Sequence, residues 1–188
     1  GYEFERFYTE DDFTDVKKGI LKDDVPKPSF GTPFPGDCKY VDKDGNGVID
    51  TDDRTYLGYS TQRPEYVFGL NGGIDWKGWS FSMQWTGATH VSRNLATEYR
   101  IPFSPSGNRA LFKYHADERW TPETAKTATM PRFSDSSKAL NYDQNSSLWV
   151  KDASYIRLKN VQLGYTFNKK GWLRTIGLNS LNVYVSGY

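Results

Sequence analysis

Two stretches with a two-residue period, joined by a two-residue turn, constrain the fold of this chain more than any other feature. In the first arm, Tyr66 to Trp76, and in the second, Trp79 to Ala88, large apolar residues recur at every second position. They are Phe68, Leu70, Ile74 and Trp76, then Trp79, Phe81, Met83 and Trp85. Because strand side chains point alternately to opposite faces, this pattern around Lys77-Gly78 predicts a β-hairpin over residues 66–88.

A second alternating stretch begins at Leu148 and runs to the end of the chain, residues 148–188. Ile156 and Leu158 share one phase of the alternation, and a later set takes the other phase. The later set is Val161, Leu163, Tyr165 and Phe167. The change of phase near Lys159 and Asn160 predicts a β-bulge. The strand is expected to end at Asn168, Lys169, Lys170 and Gly171. A helical turn over Trp172 to Gly177 and a further strand with Leu181, Val183 and Val185 are expected to follow.

The faces of the hairpin favour a membrane barrel over a soluble sandwich, although both alternate and the period alone leaves both open. Each arm is long enough to cross a bilayer when tilted, since about ten residues suffice. Trp76 and Trp79 flank the turn and Trp85 lies near the other end, as interfacial aromatic girdles require. We therefore predict an all-β fold. The chain is expected to form part of a transmembrane β-barrel, as an antiparallel meander of strands with long extracellular loops.

The composition agrees with strands and turns, with 13 Tyr, 11 Phe, 6 Trp, 17 Gly and 9 Pro in 188 residues. A formal net charge of +1 gives no electrostatic reason to expect a nucleic-acid partner. No pair of carboxylates is marked out by its spacing for acid–base work, so we predict that the chain is not an enzyme. The single cysteine, Cys38, is expected to be a small buried residue or a loop residue.

Two long segments without a sustained period, residues 9–65 and 89–147, separate the strands. Barrels of the outer membrane keep short turns on the periplasmic side, so a periplasmic Lys77-Gly78 turn makes both segments extracellular. The connection from Asn168 to Asn179 then returns to the periplasmic side. In the second segment, Arg119 and Trp120 are weak candidates for gripping a sugar or peptide, with packing of the tryptophan as the alternative.

The most specific local motif is the acidic stretch at residues 42–53, DKDGNGVIDTDD. It has the spacing of an EF-hand-like calcium loop, with Gly47 at the sixth position where the chain must turn sharply. The predicted oxygen ligands are Asp42, Asp44, Asn46, Asp50 and Asp53 with the backbone carbonyl of Val48. Asp53 stands where the motif expects a longer Glu, so the site is a variant, and an acidic turn without a metal is the alternative. A structural Ca²⁺ is the predicted cofactor.

Four strings of the sequence resemble the SusC/RagA-like TonB-dependent outer-membrane transporters. They are PGDCKYVDKDGNGVIDTDDRTYLG (35–58), RPEYVFGLNGGIDWKGWSFSMQWTG (63–87), RWTPE (119–123) and SYIRLKNVQLGYTF (154–167) with LNVYVSG near the end. They occur in the family's order and are specific in combination. The resemblance implies a location in the bacterial outer membrane and a role as a C-terminal portion of the barrel, residues 1–188, without the plug, the TonB box or the closing strands.

The resemblance also implies a function. Such transporters take up oligosaccharides or peptides with a SusD-like lipoprotein partner, are energised by the TonB complex, and contact outer-membrane lipid. The alternative is a soluble secreted calcium-binding β-domain, such as a glycan-binding or adhesin module. The two differ in one observable: Phe81, Met83 and Trp85 are packed against a second sheet in the soluble domain and form an exposed apolar band in the barrel.

Overall fold

A computed structural model of the chain describes residues 1–102, 111–134, 140–168 and 171–188. The strands over these residues are β1 (Phe4–Phe7), β2 (Phe13–Asp15), β3 (Ile20–Leu21), β4 (Lys27–Pro28), β5 (Cys38–Tyr40), β6 (Val48–Ile49), β7 (Tyr66–Trp76), β8 (Trp79–Thr89), β9 (Ser92–Asn94), β10 (Val150–Asp152), β11 (Tyr155–Asn168) and β12 (Ser180–Gly187). The helices are α1 (Thr97–Arg100), α2 (Lys113–Asp117) and α3 (Gly171–Thr175), with 3-10 turns at Glu10–Asp12 and Thr51–Asp53. Among the described residues, no helix combines the length and apolar character needed to cross a membrane.

The chain divides into two compact units, each built from two separate segments. Unit 1 contains Gly1–Gly58 and Arg93–Lys151, and unit 2 contains Tyr59–Ser92 and Asp152–Tyr188. The division falls within the paired short strands β9 and β10. The all-β architecture predicted from the alternation is confirmed, since strands dominate and antiparallel pairing prevails.

Unit 2 is a four-stranded antiparallel sheet in the order β12, β11, β8, β7. The predicted hairpin is present, with Trp76 opposite Trp79 at the turn. Both turn residues have positive φ, 47° at Lys77 and 94° at Gly78. Two consecutive residues with positive φ are the geometry of a tight hairpin turn whose twist matches that of its strands.

The predicted bulge in β11 is also present. The register against β8 shifts between Leu158 and Asn160, which leaves Lys159 as the extra residue. Ile156 therefore pairs with Gly87, and Leu163 pairs with Phe81, on the same face of the sheet. The bulge thus brings the two phases of the sequence alternation onto one side.

The two ends of the sheet differ in the length of their connections. Residues Tyr66, Thr89 and Tyr155 lie at the end where the chain leaves for unit 1. The other end holds the Lys77-Gly78 turn and the connection from β11 to β12. The helical turn predicted there corresponds to α3, and the predicted strand-ending residues Lys169 and Lys170 lie outside the described residues. The strand predicted from Leu148 is divided into β10 and β11.

Unit 1 gathers residues from both long segments around shared apolar clusters. The largest cluster contains Tyr2, Phe7, Cys38, Tyr40, Ile49 and Trp120, and two smaller ones contain Tyr8, Phe13, Leu21 and Val25, and Ile101, Tyr142 and Trp149. Two-stranded pairs, β1 with β5, β2 with β3 and β4 with β6, frame these clusters. The segments that have no period in the sequence are therefore folded together, with Cys38 buried as expected.

Candidate functional site

One face of the sheet in unit 2 is apolar across all four strands and open to its surroundings. Its members are Phe68, Leu70, Ile74, Trp76, Trp79, Phe81, Met83, Trp85, Ile156, Leu158, Val161, Leu163, Tyr165, Phe167, Leu181, Val183 and Val185. The exposed fractions of Leu70, Ile74 and Val185 are 61%, 65% and 76%. A contiguous apolar surface of this kind is rare on a soluble monomer and marks contact with a partner or a membrane.

The opposite face of the same sheet is polar and has many small residues. It carries Asn71, Gly73, Asp75, Ser80, Ser82, Gln84, Thr86, Arg157, Gln162, Gly164, Thr166, Asn182 and Ser186. The amide of Asn182 donates a hydrogen bond to Thr166 Oγ1 at 2.6 Å between neighbouring strands. A sheet with one apolar and one polar face can separate hydrocarbon from water, because its backbone groups are paired within the sheet.

Aromatic side chains mark both ends of the apolar face. Tyr66 lies at the end from which the long connections leave, and Trp76 and Trp79 lie beside the tight turn. Each of these three side chains is between 49% and 63% exposed. Aromatic rings at two levels of a strand wall are typical of the two membrane interfaces.

The acidic loop at residues 42–53 in unit 1 is ordered by hydrogen bonds to its own carboxylates. Asp42 accepts from the backbone N–H of Gly45 at 2.7 Å and of Gly47 at 2.8 Å. Gly45 and Gly47 have φ values of +73° and +82°, which a residue with a Cβ adopts only with strain. The turn at Gly47 that the calcium motif requires is therefore present.

The carboxylates at the first, third and twelfth loop positions converge. One oxygen each from Asp42, Asp44 and Asp53 lies within 4.8 Å of the others. Asp53 is buried, and its two oxygens accept from the backbone N–H of Lys43 at 2.6 Å and of Asp50 at 2.8 Å. Asp53, the shorter residue at the twelfth position, is thus hydrogen-bonded both to the start of the loop and to its end.

Two further predicted ligands, Asn46 and Asp50, accept hydrogen bonds from backbone N–H groups of the same loop. Asn46 Oδ1 accepts from the N–H of Val48 at 2.7 Å, and Asp50 Oδ1 accepts from the N–H of Asp52 at 2.9 Å. Ile49, at the eighth loop position, is buried in the largest apolar cluster and ties the loop to the core. The hydrogen bond from Gly47 lowers the pKa of Asp42 below the ordinary value of an aspartate, with Gly45 adding to the effect. The loop therefore holds three carboxylate groups near one point, a set of oxygens that suits a hard cation such as Ca²⁺.

A buried polar network in unit 1 contains structural residues that sequence reasoning missed. Asp37 accepts from Arg132 Nε at 2.5 Å, from Asn141 Nδ2 at 2.7 Å and from the backbone N–H of Phe34 at 2.9 Å. The side-chain oxygen of Asn141 in turn accepts from the backbone N–H of Cys38 at 2.8 Å. Because Asp37 is 95 to 104 residues from its side-chain partners, no local spacing reveals this clamp between the two long segments.

The two weak candidates for substrate binding lie in packed surroundings. Trp120 is 8% exposed and belongs to the largest apolar cluster of unit 1. Arg119 lies over the ring of Phe133, with its guanidinium carbon 5.0 Å from the ring centroid. A role of Arg119 and Trp120 in substrate binding stays a prediction, since the contacts seen are those of packing.

No model of a known protein family matches the chain. Two curated relatives from Formosa agariphila are similar to it. TonB-dependent receptor P26 is 33% identical over 154 residues, or 81% of this chain, and TonB-dependent receptor P3 is 30% identical over 158 residues, or 84%. The chain spans 14% of the length of each relative.

Solved structures agree on the fold. The RagAB peptide importer in its closed-closed state aligns with 98% of this chain at a TM-score of 0.60 and 19% identity. The open-open state of the same importer aligns with 100% of the chain at a TM-score of 0.56 and 17% identity. The aligned part covers 18% of the importer chain in both cases.

A strand wall with one apolar and one polar face, aligned with part of a RagAB chain, defines this chain as a segment of an outer-membrane β-barrel protein. Over four fifths of its length the chain is similar to two TonB-dependent receptors, and its fold matches that of part of a RagAB chain. The resemblance carried by the four sequence strings is thereby confirmed.

Proposed function

We propose that the chain is the wall-and-loop part of an outer-membrane TonB-dependent importer of the SusC type. The open apolar face of the sheet in unit 2 carries this proposal, because a strand wall needs hydrocarbon on one side and water on the other. Outer-membrane lipid would cover the apolar face, and the polar face would line the interior of the barrel. The curated relatives, named as TonB-dependent receptors, support energy input through the TonB complex.

Oligosaccharides or peptides are the proposed substrates, and a SusD-like lipoprotein is the proposed partner. The fold is shared with RagAB, which is named as a peptide importer. This likeness supports peptides as the substrate class and an assembly of two components. The alternative of a soluble secreted calcium-binding domain is disfavoured. It requires Phe81, Met83 and Trp85 to be packed under a second sheet, yet Phe81 is 37% exposed on the open face.

Uptake by cells that produce the full-length receptor tests the proposal. We expect import of a labelled oligosaccharide or peptide mixture to require the receptor, TonB and the lipoprotein together, with one substrate class imported and the other not. Import that persists after removal of TonB contradicts an energised importer. Import of neither class by a correctly inserted receptor contradicts the proposed substrates.

The proposed orientation places the Lys77-Gly78 turn in the periplasm and both long segments outside the cell. Two lysines make a matched pair of probes, because Lys77 lies in the turn and Lys126 is exposed in unit 1. We expect Lys126→Cys to react with a membrane-impermeant maleimide on intact cells and Lys77→Cys to react only after the outer membrane is opened. The buried Cys38 provides no background label, since burial also raises the pKa of its thiol. The reverse labelling pattern would overturn the orientation.

We also propose that the acidic loop binds a structural Ca²⁺. Asp42, Asp44 and Asp53 would supply the central carboxylates, with Asn46, the Val48 carbonyl and Asp50 completing the shell. The cation would neutralise three carboxylates that lie within 4.8 Å of one another, and so would stiffen the loop. Extracellular calcium modules work at affinities of about 10⁻⁴ to 10⁻³ M, which suits a permanent site outside the cell.

Tryptic cleavage of the receptor in isolated outer membranes tests the calcium proposal, since Lys43 and Arg54 lie within or beside the loop. We expect chelation to accelerate cleavage there and calcium to restore protection. Asp42→Ala should be cleaved fast in both conditions, whereas Asp52→Ala, an exposed carboxylate of the same loop, should behave like the wild type. Equal cleavage of the wild type with calcium and with chelator would refute calcium binding.

A further inference from the structure

The turn end of the sheet in unit 2 carries a connected row of aromatic rings on the apolar face. The ring centroids of Trp79 and Tyr165 are 4.9 Å apart, those of Tyr165 and Phe167 are 4.6 Å apart, and those of Phe167 and Trp172 are 6.0 Å apart. Each pair meets edge to face, the geometry that aromatic rings prefer. The row runs from the hairpin turn to α3, so these rings form one connected aromatic surface.

Two cations accompany this row. The Lys77 ammonium lies over the ring of Trp76, 5.0 Å from its centroid, and Arg174 is exposed in α3. The nearby acid, Asp75, is on the other face of β7, because it pairs with Ser80 while Trp76 pairs with Trp79. The turn end therefore carries positive charge, that of Lys77 on the aromatic side, without a facing carboxylate among the described residues of this end.

A hollow opens in the apolar face beside the aromatic row. It has a volume of about 640 Å³ and is bordered by Trp79, Leu163, Tyr165, Phe167, Val183 and Val185. Trp79 and Tyr165 border the hollow and are also members of the aromatic row. An apolar hollow thus adjoins a cationic aromatic rim.

We propose that this end of the wall is a binding site for an anionic glycerophospholipid. One acyl chain lies in the hollow, and the phosphate of the head group meets Lys77 and Arg174. Charge complementarity selects this ligand, because a basic rim beside a membrane-facing pocket attracts anionic head groups. An aromatic row at the same level suits the head-group region. The proposal rests on the proposed periplasmic position of the turn, which puts the site in the inner leaflet.

The test uses the full-length receptor in nanodiscs containing equal parts of phosphatidylglycerol and phosphatidylethanolamine, with retained lipid counted by native mass spectrometry. We expect the wild type to retain phosphatidylglycerol in preference to phosphatidylethanolamine. In the double variant Lys77→Gln, Arg174→Gln, this preference should fall about fivefold for each cation removed, the effect of one basic residue near an anionic surface. The control double variant Lys17→Gln, Lys126→Gln removes the same charge from exposed positions of unit 1 and should leave the preference unchanged.

A third variant separates the hollow from the rim. Val183→Trp fills the hollow while keeping it apolar, so it should reduce retention of both lipids. An unchanged lipid preference in the Lys77→Gln, Arg174→Gln variant would overturn the proposal, as would unchanged lipid retention in Val183→Trp. Detection of a receptor dimer that retains no lipid would also overturn it. The maleimide labelling of Lys77→Cys is scored separately, so a wrong orientation is distinguished from a wrong lipid site.

Discussion

Gly36 is the position at which a single residue decides whether the two long segments can pack together. Its φ of +86° lies in the left-handed region, and a Cβ there would approach Trp120 Cδ2 to 2.7 Å and Arg132 Cβ to 2.9 Å. Its N–H donates to the carbonyl of Tyr8, and its own carbonyl accepts from the N–H of Arg132. A glycine is therefore required both by the backbone conformation and by the close approach of the indole.

Gly36→Ala should destabilise unit 1 by roughly 3 kcal/mol, from the left-handed conformation and the overlap with Trp120 together. Gly45→Ala provides a matched control. Its φ is +73° and a Cβ there meets nothing within 4 Å, so only the conformational cost of about 1 kcal/mol applies. Hydrogen exchange of the Cys38–Tyr40 amides in the full-length receptor measures both effects. Equal effects of the two substitutions would show that Trp120 does not restrict Gly36.

At the scale of elements, β11 shows how one extra residue controls a whole surface. Without the bulge at Lys159, Ile156 and Leu158 would lie on the polar face and the apolar surface would end in the middle of the strand. With it, 14 residues contribute to a continuous wall between β8 and β12. The same element also offers adjacent residues on opposite faces for a direct test.

Leu163→Arg and Gln162→Arg place the same charge on opposite faces of β11. Leu163 is on the apolar face, two residues from Tyr165 at the turn end, where an arginine costs less than the roughly 2 to 4 kcal/mol found at the bilayer midplane. Gln162 is on the polar face, so its substitution should be tolerated. The amount of heat-modifiable, folded receptor in the outer membrane reports the difference, with Leu163→Arg reduced relative to Gln162→Arg. A stronger defect in Gln162→Arg would mean that the faces are assigned the wrong way round.

At the scale of the whole molecule, two segments that are remote in sequence share one core. Asp37 from the first segment holds Arg132 and Asn141 of the second, while Trp149 donates its indole N–H to the carbonyl of Asn141 at 3.0 Å. Tyr40 adds a hydrogen bond to the carbonyl of Leu140 at 2.5 Å. The two segments should accordingly unfold and refold together as one cooperative unit rather than as independent loops.

Asp37→Asn tests this cooperativity. Removing one partner of a fully buried ion pair costs about 3 kcal/mol or more. The cost here should be smaller, because Arg132, the charge left behind, is 26% exposed. Hydrogen exchange should become faster in residues 34–40 and in residues 140–149 together. Asp23→Asn, at a fully exposed carboxylate, is the control and should change neither segment. Faster exchange in only one of the two segments would contradict a single cooperative body.

The sequence by itself determined the wall: the hairpin, its turn, the bulge and the single apolar face. These features follow from the alternation of apolar and polar residues along the chain. The alternation is a local signal, because successive side chains of a strand point to opposite faces of the sheet. The sequence also located the acidic loop, because a twelve-residue spacing is local. Only the tertiary structure decided how residues 9–65 and 89–147 fold. The Asp37 clamp, the burial of Trp120 and the shared core join residues about a hundred positions apart, and contacts at that distance leave no period in the chain.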